Sequence, residues 1–452
     1  MAIAEDLLQI LRIEHRLPAG ELLERLQVSR PTLMRAVRAL GPQVLARGQA
    51  RRTSYAARRT VRGTLASLPL FRIDEQGRAH EVAKLLPTYP NGCALEFMEP
   101  FDWPLDGPME TGWFDGLPYP LEDMRPQGFL GRHFARHNAS LLQLGEDPQH
   151  WSEDDTLYAL ALLGSDQPGC FILGEAAMRT WLAQSQQDPA AVDEATFQDA
   201  YLSMAAEAIA RGVAGSSAGG EFPKFTAVRR RGPSVSHVIV KFSGSDVSPG
   251  TRRWSDLLVC EHLALNSIAD HLGLPASRSH VYQAGGRTFL QVERFDRHGA
   301  HGRSPVCSWA ALNGAFFGLA GKPWTRGAQA LGAKGFVDEP GRRSIELLWD
   351  FGQLIANSDM HDGNLSFFPG LRVAPAYDML PMLYAPVRGV ELPQRTFAPA
   401  LPLPADRGRW QIAAAAAQIF WTQASKDKRI SKEFRVICAS NARRLADLLA
   451  RL

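Results

Sequence analysis

Asp359 stands five residues before Asn364, and Asp378 follows fourteen residues after that. The stretches around them read Ala356-Asn357-Ser358-Asp359-Met360-His361-Asp362-Gly363-Asn364 and Ala376-Tyr377-Asp378-Met379. This spacing constrains the chain more than any other feature, because the three side chains can cooperate only in a fold that returns the last to the first two. A carboxylate, an amide at +5 and a second carboxylate about a dozen residues on is the pattern of a phosphoryl-transfer site. There the first carboxylate takes or orients the proton of an attacking hydroxyl, while the amide and the last carboxylate hold Mg²⁺ against the phosphates of ATP. A His/Asp/Gly/Asn cluster is also what a polar turn looks like, and short motifs match by chance. The residues upstream separate the two.

Gly215-Ser216-Ser217-Ala218-Gly219-Gly220-Glu221-Phe222-Pro223-Lys224 is a Gly/Ser loop. Glycine lets backbone N–H groups approach phosphate oxygens, although the GK[ST] of a Walker loop is absent. Alternating apolar residues predict strands over 225–230 and 237–242, the second ending in Lys241. A helix over 254–272 carries Glu261, and two further strands, 279–283 and 287–294, turn at Gly285-Gly286. A lysine at the end of an apolar strand needs partners, and ATP phosphates together with Glu261 would satisfy it. The alternatives are an edge-strand charge for Lys241 and a solvated helix acid for Glu261. Glu293, Arg294 and Phe295 would then be a hinge offering backbone groups to adenine. Beyond them the pattern turns helical, over 307–319, 344–357, 410–423 and 430–452. A short hairpin, 365–368 with 372–376, would carry Asp378 back to Asp359. This is the element order of a kinase small lobe followed by a helical lobe.

Charge sets the first 62 residues apart. They hold twelve Arg and no Lys against five acids, an excess of seven, so within the overall +3 the remaining 390 residues carry −4. Helices are predicted over 6–17, 21–26 and 29–40, with Pro18-Ala19-Gly20 as a break, Ser29 as an N-cap and Pro31 in the first turn. A hairpin of 44–47 with 53–57 follows. That order is a winged helix-turn-helix, with Arg30, Thr32, Arg35 and Arg38 on the outer face of the third helix and Arg51 and Arg52 at the wing tip, placed to contact DNA. A small dimerising bundle with solvated arginines is the alternative.

Residues 63–205 are rich in proline and aromatics and carry no catalytic cluster. A hairpin is predicted over 68–74 and 79–85, helical pieces over 121–138, a helix over 151–164 and a strand over 169–173. The Gln-rich run 184–193 reads as a linker, and a helix is predicted over 195–212. The chain thus divides into 1–62, 63–205, 206–297 and 298–452. Five scattered cysteines without CxxC spacing argue against a zinc site or disulfide framework and suit a reducing cytoplasm. No apolar run approaches the roughly eighteen residues of a membrane span, and the acidic pair Glu5-Asp6 stands where a secretory signal is basic. No membrane association is expected.

With these pieces in order, the chain resembles the HipA family of serine/threonine kinases. More narrowly, it is similar to the YjjJ branch, in which a helix-turn-helix head is fused to the kinase. The likeness rests on Ser216-Ser217-Ala218-Gly219-Gly220, the strand ending in Lys241, Arg253-Trp254-Ser255-Asp256, Glu293-Arg294-Phe295, Asp359 to Asn364 and Tyr377-Asp378. The resemblance implies an α+β, two-lobed protein-kinase-like fold and a cytoplasmic toxin of the toxin–antitoxin type. It also implies ATP and Mg²⁺ as cofactors, with a translation component such as an aminoacyl-tRNA synthetase as the protein substrate. It makes Asp359 the catalytic base and Asn364 and Asp378 the Mg²⁺ ligands. Ala218, Gly219, Gly220, Glu221, Lys224, Lys241, Glu293, Arg294, Phe295, His361, Asp362, Gly363, Asn364, Tyr377 and Asp378 would contact the nucleotide. The family phosphorylates a serine of its own Gly-rich loop, which expels the loop and silences the kinase; Ser216 matches by spacing and Ser217 is its neighbour. Here Glu221-Phe222-Pro223 stands where the family's loop has a Gln and a charged residue before its lysine.

Because the DNA-binding head is in cis, a separate antitoxin is not implied. Head and kinase are expected to regulate each other, for instance through autorepression, and paired half-sites point to a homodimer. Two other classes share these residues. Small-molecule phosphotransferases of the aminoglycoside and choline kinase type have a similar catalytic loop. A transcriptional regulator could use a kinase-like body only to sense nucleotide.

Overall fold

The computed structural model describes residues 2–48, 53–65, 67–210, 222–387 and 391–451. The first unit comprises α1 (Ala2–Ile13), β1 (Leu17–Pro18), α2 (Ala19–Leu26), α3 (Arg30–Leu40), β2 (Val44–Arg47) and β3 (Ser54–Ala57), with strand order β1-β3-β2. Leu7, Leu11, Leu22 and Leu33 are fully buried at its centre, each stabilising it by about 1.5–3 kcal/mol. The first helix stops at Ile13, short of residue 17. Proline disfavours helical geometry in the residue before it, so Leu17 is extended and pairs with Tyr55. Pro18-Ala19-Gly20 opens the second helix instead of separating two. Ser29 occupies the N-cap position of α3, but its Oγ hydrogen-bonds Thr32 Oγ1 at 3.0 Å and caps no backbone N–H.

The second unit is a five-stranded antiparallel sheet, β4 (Leu68–Ile73), β5 (Ala79–Thr88), β6 (Gly92–Phe97), β7 (Trp113–Phe114) and β8 (Phe171–Leu173), in the order β7-β6-β5-β4-β8. Helices α4 (Gly128–Leu142), α5 (Glu153–Leu163) and α6 (Glu175–Ser185) accompany it. Helix α5 starts at a reciprocal cap in which Ser152 and Asp155 satisfy each other's backbone N–H.

The head is fastened to this unit. Leu45 and Ala56 of the hairpin pack on Leu86, Ala94 and Trp113, and the Tyr89 amide donates to the Ala57 carbonyl at 2.9 Å. Arg59, nearly buried, donates to Asp154 of α5 at 2.8 Å and to the carbonyls of Thr88 and Pro90. Arg62 reaches Asp155 at 3.1 Å and lies over the Tyr158 ring. Three residues past the other end of α5, Asp166 accepts from Arg297 at 2.8 Å and Arg294 at 3.4 Å, beside the segment expected to be the hinge.

The small lobe is the sheet β9 (Ala191–Asp193), β10 (Lys224–Arg231), β11 (Ser234–Phe242), β12 (Ser279–Ala284) and β13 (Arg287–Glu293), ordered β12-β13-β11-β10-β9, with α7 (Phe197–Ala210) and α8 (Pro249–Ser267). The Gln-rich run is more than a linker: its end is β9, parallel to β10 through Val228, Arg229 and Arg230. Helix α8 begins at Pro249, capped by Ser248, five residues ahead of its expected start.

The large lobe follows the hairpin β14 (Arg297–His298) and β15 (Gly302–Arg303). It contains β16 (Cys307–Ser308), α9 (Trp309–Phe316), α10 (Trp324–Ala333), α11 (Glu339–Leu354), β17 (Ser366–Phe368), β18 (Arg372–Val373), α12 (Arg407–Lys426) and α13 (Lys432–Leu449). Cys307 and Ser308, expected as helix, pair instead with Phe367 and Ser366. Among the described residues all five cysteines are free and buried, and no helix is long and apolar enough to cross a membrane.

Candidate active site

The alternation that makes β11 a strand also aims Lys241 at α8. Its ammonium donates to both carboxylate oxygens of Glu261, at 2.7 and 2.8 Å, and to Asp378. Lys241 is 7% exposed and Glu261 wholly buried. A charge at that depth holds only with a partner, so neither the edge-strand nor the exposed-acid alternative describes these residues. Burial alone would lower the lysine's pKa, but the charges of Asp378 and Glu261 outweigh it and the net shift is upward. The two carboxylates divide one ammonium unequally. Burial, only partly offset by Lys241, pushes Glu261 up. Partial burial would raise Asp378 as well, but Lys241 and then Lys224 outweigh it and hold it down to about 2. Lys224 faces Lys241 directly across the β10–β11 ladder.

Asp378 is delivered by the chain leaving β18 and takes a left-handed backbone, φ +54°, which aspartate tolerates better than most residues. Tyr377 before it donates from its hydroxyl to the Gly363 carbonyl at 2.6 Å and pairs with Ser366 Oγ at 2.7 Å. Asn364 Nδ2 donates to the Asp359 carbonyl at 2.8 Å. That leaves Asn364 Oδ1 without a hydrogen-bond partner among the described residues, and the Asp378 side chain is 32% exposed. One amide oxygen and one carboxylate suit Mg²⁺, which binds through one or two protein ligands plus phosphates; no cage of three or more His, Cys, Asp or Glu exists among the described residues. His361 Nδ1 accepts from the Gly363 amide at 3.1 Å, shaping the loop. Asp362 is held by Asn313 of α9 at 2.8 Å, and Asp359 is solvent-exposed.

Two positions that carry the geometry were not singled out from sequence. Asn357, 3% exposed, accepts from the Asp359 amide at 3.1 Å and donates to the Asp378 carbonyl at 3.2 Å. One side chain thus ties the loop that carries Asp359 to the segment that carries Asp378. Gly352 of α11 sits where any Cβ would overlap the Met360 thioether. The phrase "Ala356-Asn357-Ser358" hints at neither role, because the partner of Asn357 lies twenty-one residues away.

At the hinge, the Glu293 and Arg294 amides already donate, to the Arg278 and His237 carbonyls. The Arg294 guanidinium is engaged with Asp296 and Asp166. Phe295 lies beside Tyr377, with ring centroids 5.7 Å apart. In Arg253-Trp254-Ser255-Asp256, Asp256 accepts from the Ser431 amide and hydroxyl at 2.6 Å, and Arg253 donates to the Tyr384 carbonyl. This motif locks α8 to the large lobe. Ser216, Ser217, Ala218, Gly219, Gly220 and Glu221 lie outside the described residues, as do Arg51 and Arg52.

On α3, Arg30, Arg35 and Arg38 are exposed, Arg35 reaches Thr32 at 3.2 Å, and Arg30 and Arg38 have no partner among the described residues. Other arginines of the head face the second unit: Arg16 pairs with Asp115, Arg47 with Glu96, Arg59 with Asp154 and Arg62 with Asp155.

Comparison with known proteins agrees with this architecture. Residues 64–182 match the YjjJ-like toxin middle domain and residues 216–443 the HipA-like C-terminal domain. Toxin YjjJ of Escherichia coli (strain K12) is 38% identical over 423 residues, covering 93% of this chain and 92% of that protein. Among solved structures, a chain of the Shewanella oneidensis MR-1 HipA, HipB and operator DNA complex matches with a TM-score of 0.51 at 16% identity, over 85% of this chain and 97% of that one. The Helicobacter pylori proinflammatory kinase CtkA matches with a TM-score of 0.35 at 13% identity, over 52% and 90%. Fold and site together define a HipA-like toxin of kinase fold. The chain belongs to the HipA family, among its YjjJ-like toxins.

Proposed function

We propose that this protein is an ATP- and Mg²⁺-dependent serine/threonine protein kinase that phosphorylates its own Gly/Ser loop at Ser216 or Ser217, acts on a translation component, and binds DNA through residues 1–62 as a winged helix-turn-helix. The observation that carries the reading is the convergence of Lys241, Glu261 and Asp378 on one buried charge centre, tied by Asn357 to Asp359. Bound Mg²⁺ would supply the positive charge that neutralises the transferring phosphoryl group. The chain's own residues do the rest. Lys241 would orient the α/β-phosphates and Glu261 would keep it in place. Asn364 Oδ1 and Asp378 would hold the metal. Asp359, exposed at the loop surface, would accept the proton of the incoming hydroxyl. Three exposed arginines on α3 support the DNA reading, since phosphate contacts give affinity and register. Cytoplasmic localisation and a homodimer belong to the same proposal.

The test is mass spectrometry of protein incubated with ATP and Mg²⁺, wild type beside Asp359→Ala. Phosphate on Ser216 or Ser217 in the wild type alone is the expected result. ATP binding with no phosphate in either protein would replace the kinase by a nucleotide sensor.

A further inference from the structure

Next to the loop that carries Asp359 opens a cleft of about 530 Å³. Ala356, Asn357 and Ser358 line one edge, and none of Lys241, Asp359, Asn364 or Asp378 borders it, so the cleft adjoins the nucleotide residues only through Asn357. Trp349 and Asp350 of α11 form one wall and the segment 396–403, which belongs to no helix or strand, forms the other.

Two features go beyond what closing the lobe requires. Leu401 and Leu403 on that wall are 60% and 71% exposed. At the floor a single guanidinium, Arg409, serves three carboxylates: Asp350 at 2.7 Å, Glu346 at 2.9 Å and Asp406 at 2.9 Å. Arg342 gives Glu346 a second partner at 2.9 Å but itself also pairs with Glu339. The charged residues that line the cleft are Asp350, Asp406 and Arg409, an excess of one negative charge, and burial pushes the Asp350 carboxyl up despite Arg409.

We propose that this cleft seats an extended segment of the protein substrate in which basic and leucine-like residues flank the acceptor serine or threonine. The proposal rests on the kinase reading above and names the substrate chemistry it would select. A basic side chain meets the carboxylates beside Arg409, and an apolar one covers Leu401, Leu403 and Trp349. Ala356, Asn357 and Ser358 line the cleft and lead directly into Asp359, so a segment seated here would run up to the start of the loop that carries the proposed base.

The test is fluorescence anisotropy of a labelled peptide with a central serine, arginines on one side and leucines on the other, added to full-length protein with Mg²⁺ and a non-hydrolysable ATP analogue. Its Glu-for-Arg counterpart should not bind. Leu401→Ser/Leu403→Ser, both exposed side chains, should raise Kd about tenfold or more, the loss of two apolar contacts. Asp406→Asn should raise it about threefold and flatten its salt dependence. Circular dichroism confirms that each variant folds. No binding of the basic peptide or equal binding by all variants overturns the proposal. Phosphate transfer to the peptide is read separately. Binding without transfer keeps the docking surface and removes the kinase.

Discussion

Lys241→Met is the sharpest perturbation of the site. It removes the ammonium that donates to both Glu261 oxygens and leaves that fully buried carboxylate beside Asp378, with the charge of Lys224 as a weaker counterweight. Breaking a buried pair from one side costs about 3–5 kcal/mol. Glu261→Gln is milder, because Lys241 keeps Asp378 and the amide oxygen still accepts; one charge-assisted bond is weakened, about 1.5–3 kcal/mol. Lys241→Met/Glu261→Gln removes the charge from both sides and should recover most of the loss. The two single effects are thus strongly non-additive. The linkage sign agrees. A carboxyl whose folded pKa is raised, as that of Glu261 is, favours the folded state more as pH falls, so acid should partly rescue Lys241→Met but not the double variant. Hydrogen exchange of β11 and α8 amides in urea reports the small lobe without assuming that the whole chain unfolds at once. If the double variant loses the sum of the singles, or if Lys241→Met is no worse than Glu261→Gln, the argument from buried pairing is wrong.

Asn357→Ala should lower kcat for autophosphorylation about 100-fold with ATP affinity little changed, since it frees Asp359 from Asp378 and small misplacements at a reacting group are costly; radiolabelled phosphate incorporation measures it. His262 bonds Ser279 Oγ at 2.9 Å between α8 and β12, and burial lowers its pKa to about 4. The unfolded imidazole titrates near 6.5, so its contribution is complete above that pH and is lost as pH falls from about 6.5 to 4. A His262→Gln variant should show a flatter stability profile across that window by urea titration. Replacing Arg30, Arg35 and Arg38 together by alanine should weaken binding to any duplex and reduce the log–log salt slope by about 3, one unit per phosphate contact, as read by anisotropy at several salt concentrations.

The sequence made some of this visible for identifiable reasons. Helix α3 carries Pro31 in its first turn and an apolar face at helical spacing, both local signals. Lys241 could be placed because a charge terminates an apolar alternation, and Asp359, Asn364 and Asp378 could be grouped because of their spacing, which the fold turns into proximity. What stayed hidden depends on distant partners. Ala191–Asp193 is a three-residue edge strand whose register with Val228–Arg230 no local pattern encodes. Asn357 looks like any residue ending a helix until Asp378 folds over it. Counting arginines could not separate those on α3, facing outward, from Arg16, Arg47, Arg59 and Arg62, which clamp the head to acidic residues of the second unit. The ion pairs of the Arg294 side chain with Asp166 and Asp296 were likewise not legible, because Asp166 lies 128 residues away in the chain.

Helix α5 touches the head through Asp154 and Asp155 at its start, and the chain just past its end touches Arg294 and Arg297 through Asp166. The head is therefore a fixture, not a passenger on a tether. A tethered domain samples a cloud of orientations whose size follows linker length; a fixture has one bearing. On the reading proposed above, a protein seated on its operator would point its catalytic cleft at a set angle to the duplex axis. Substrates would then have to approach from whichever side the DNA leaves open, so steric access as well as chemistry would select them.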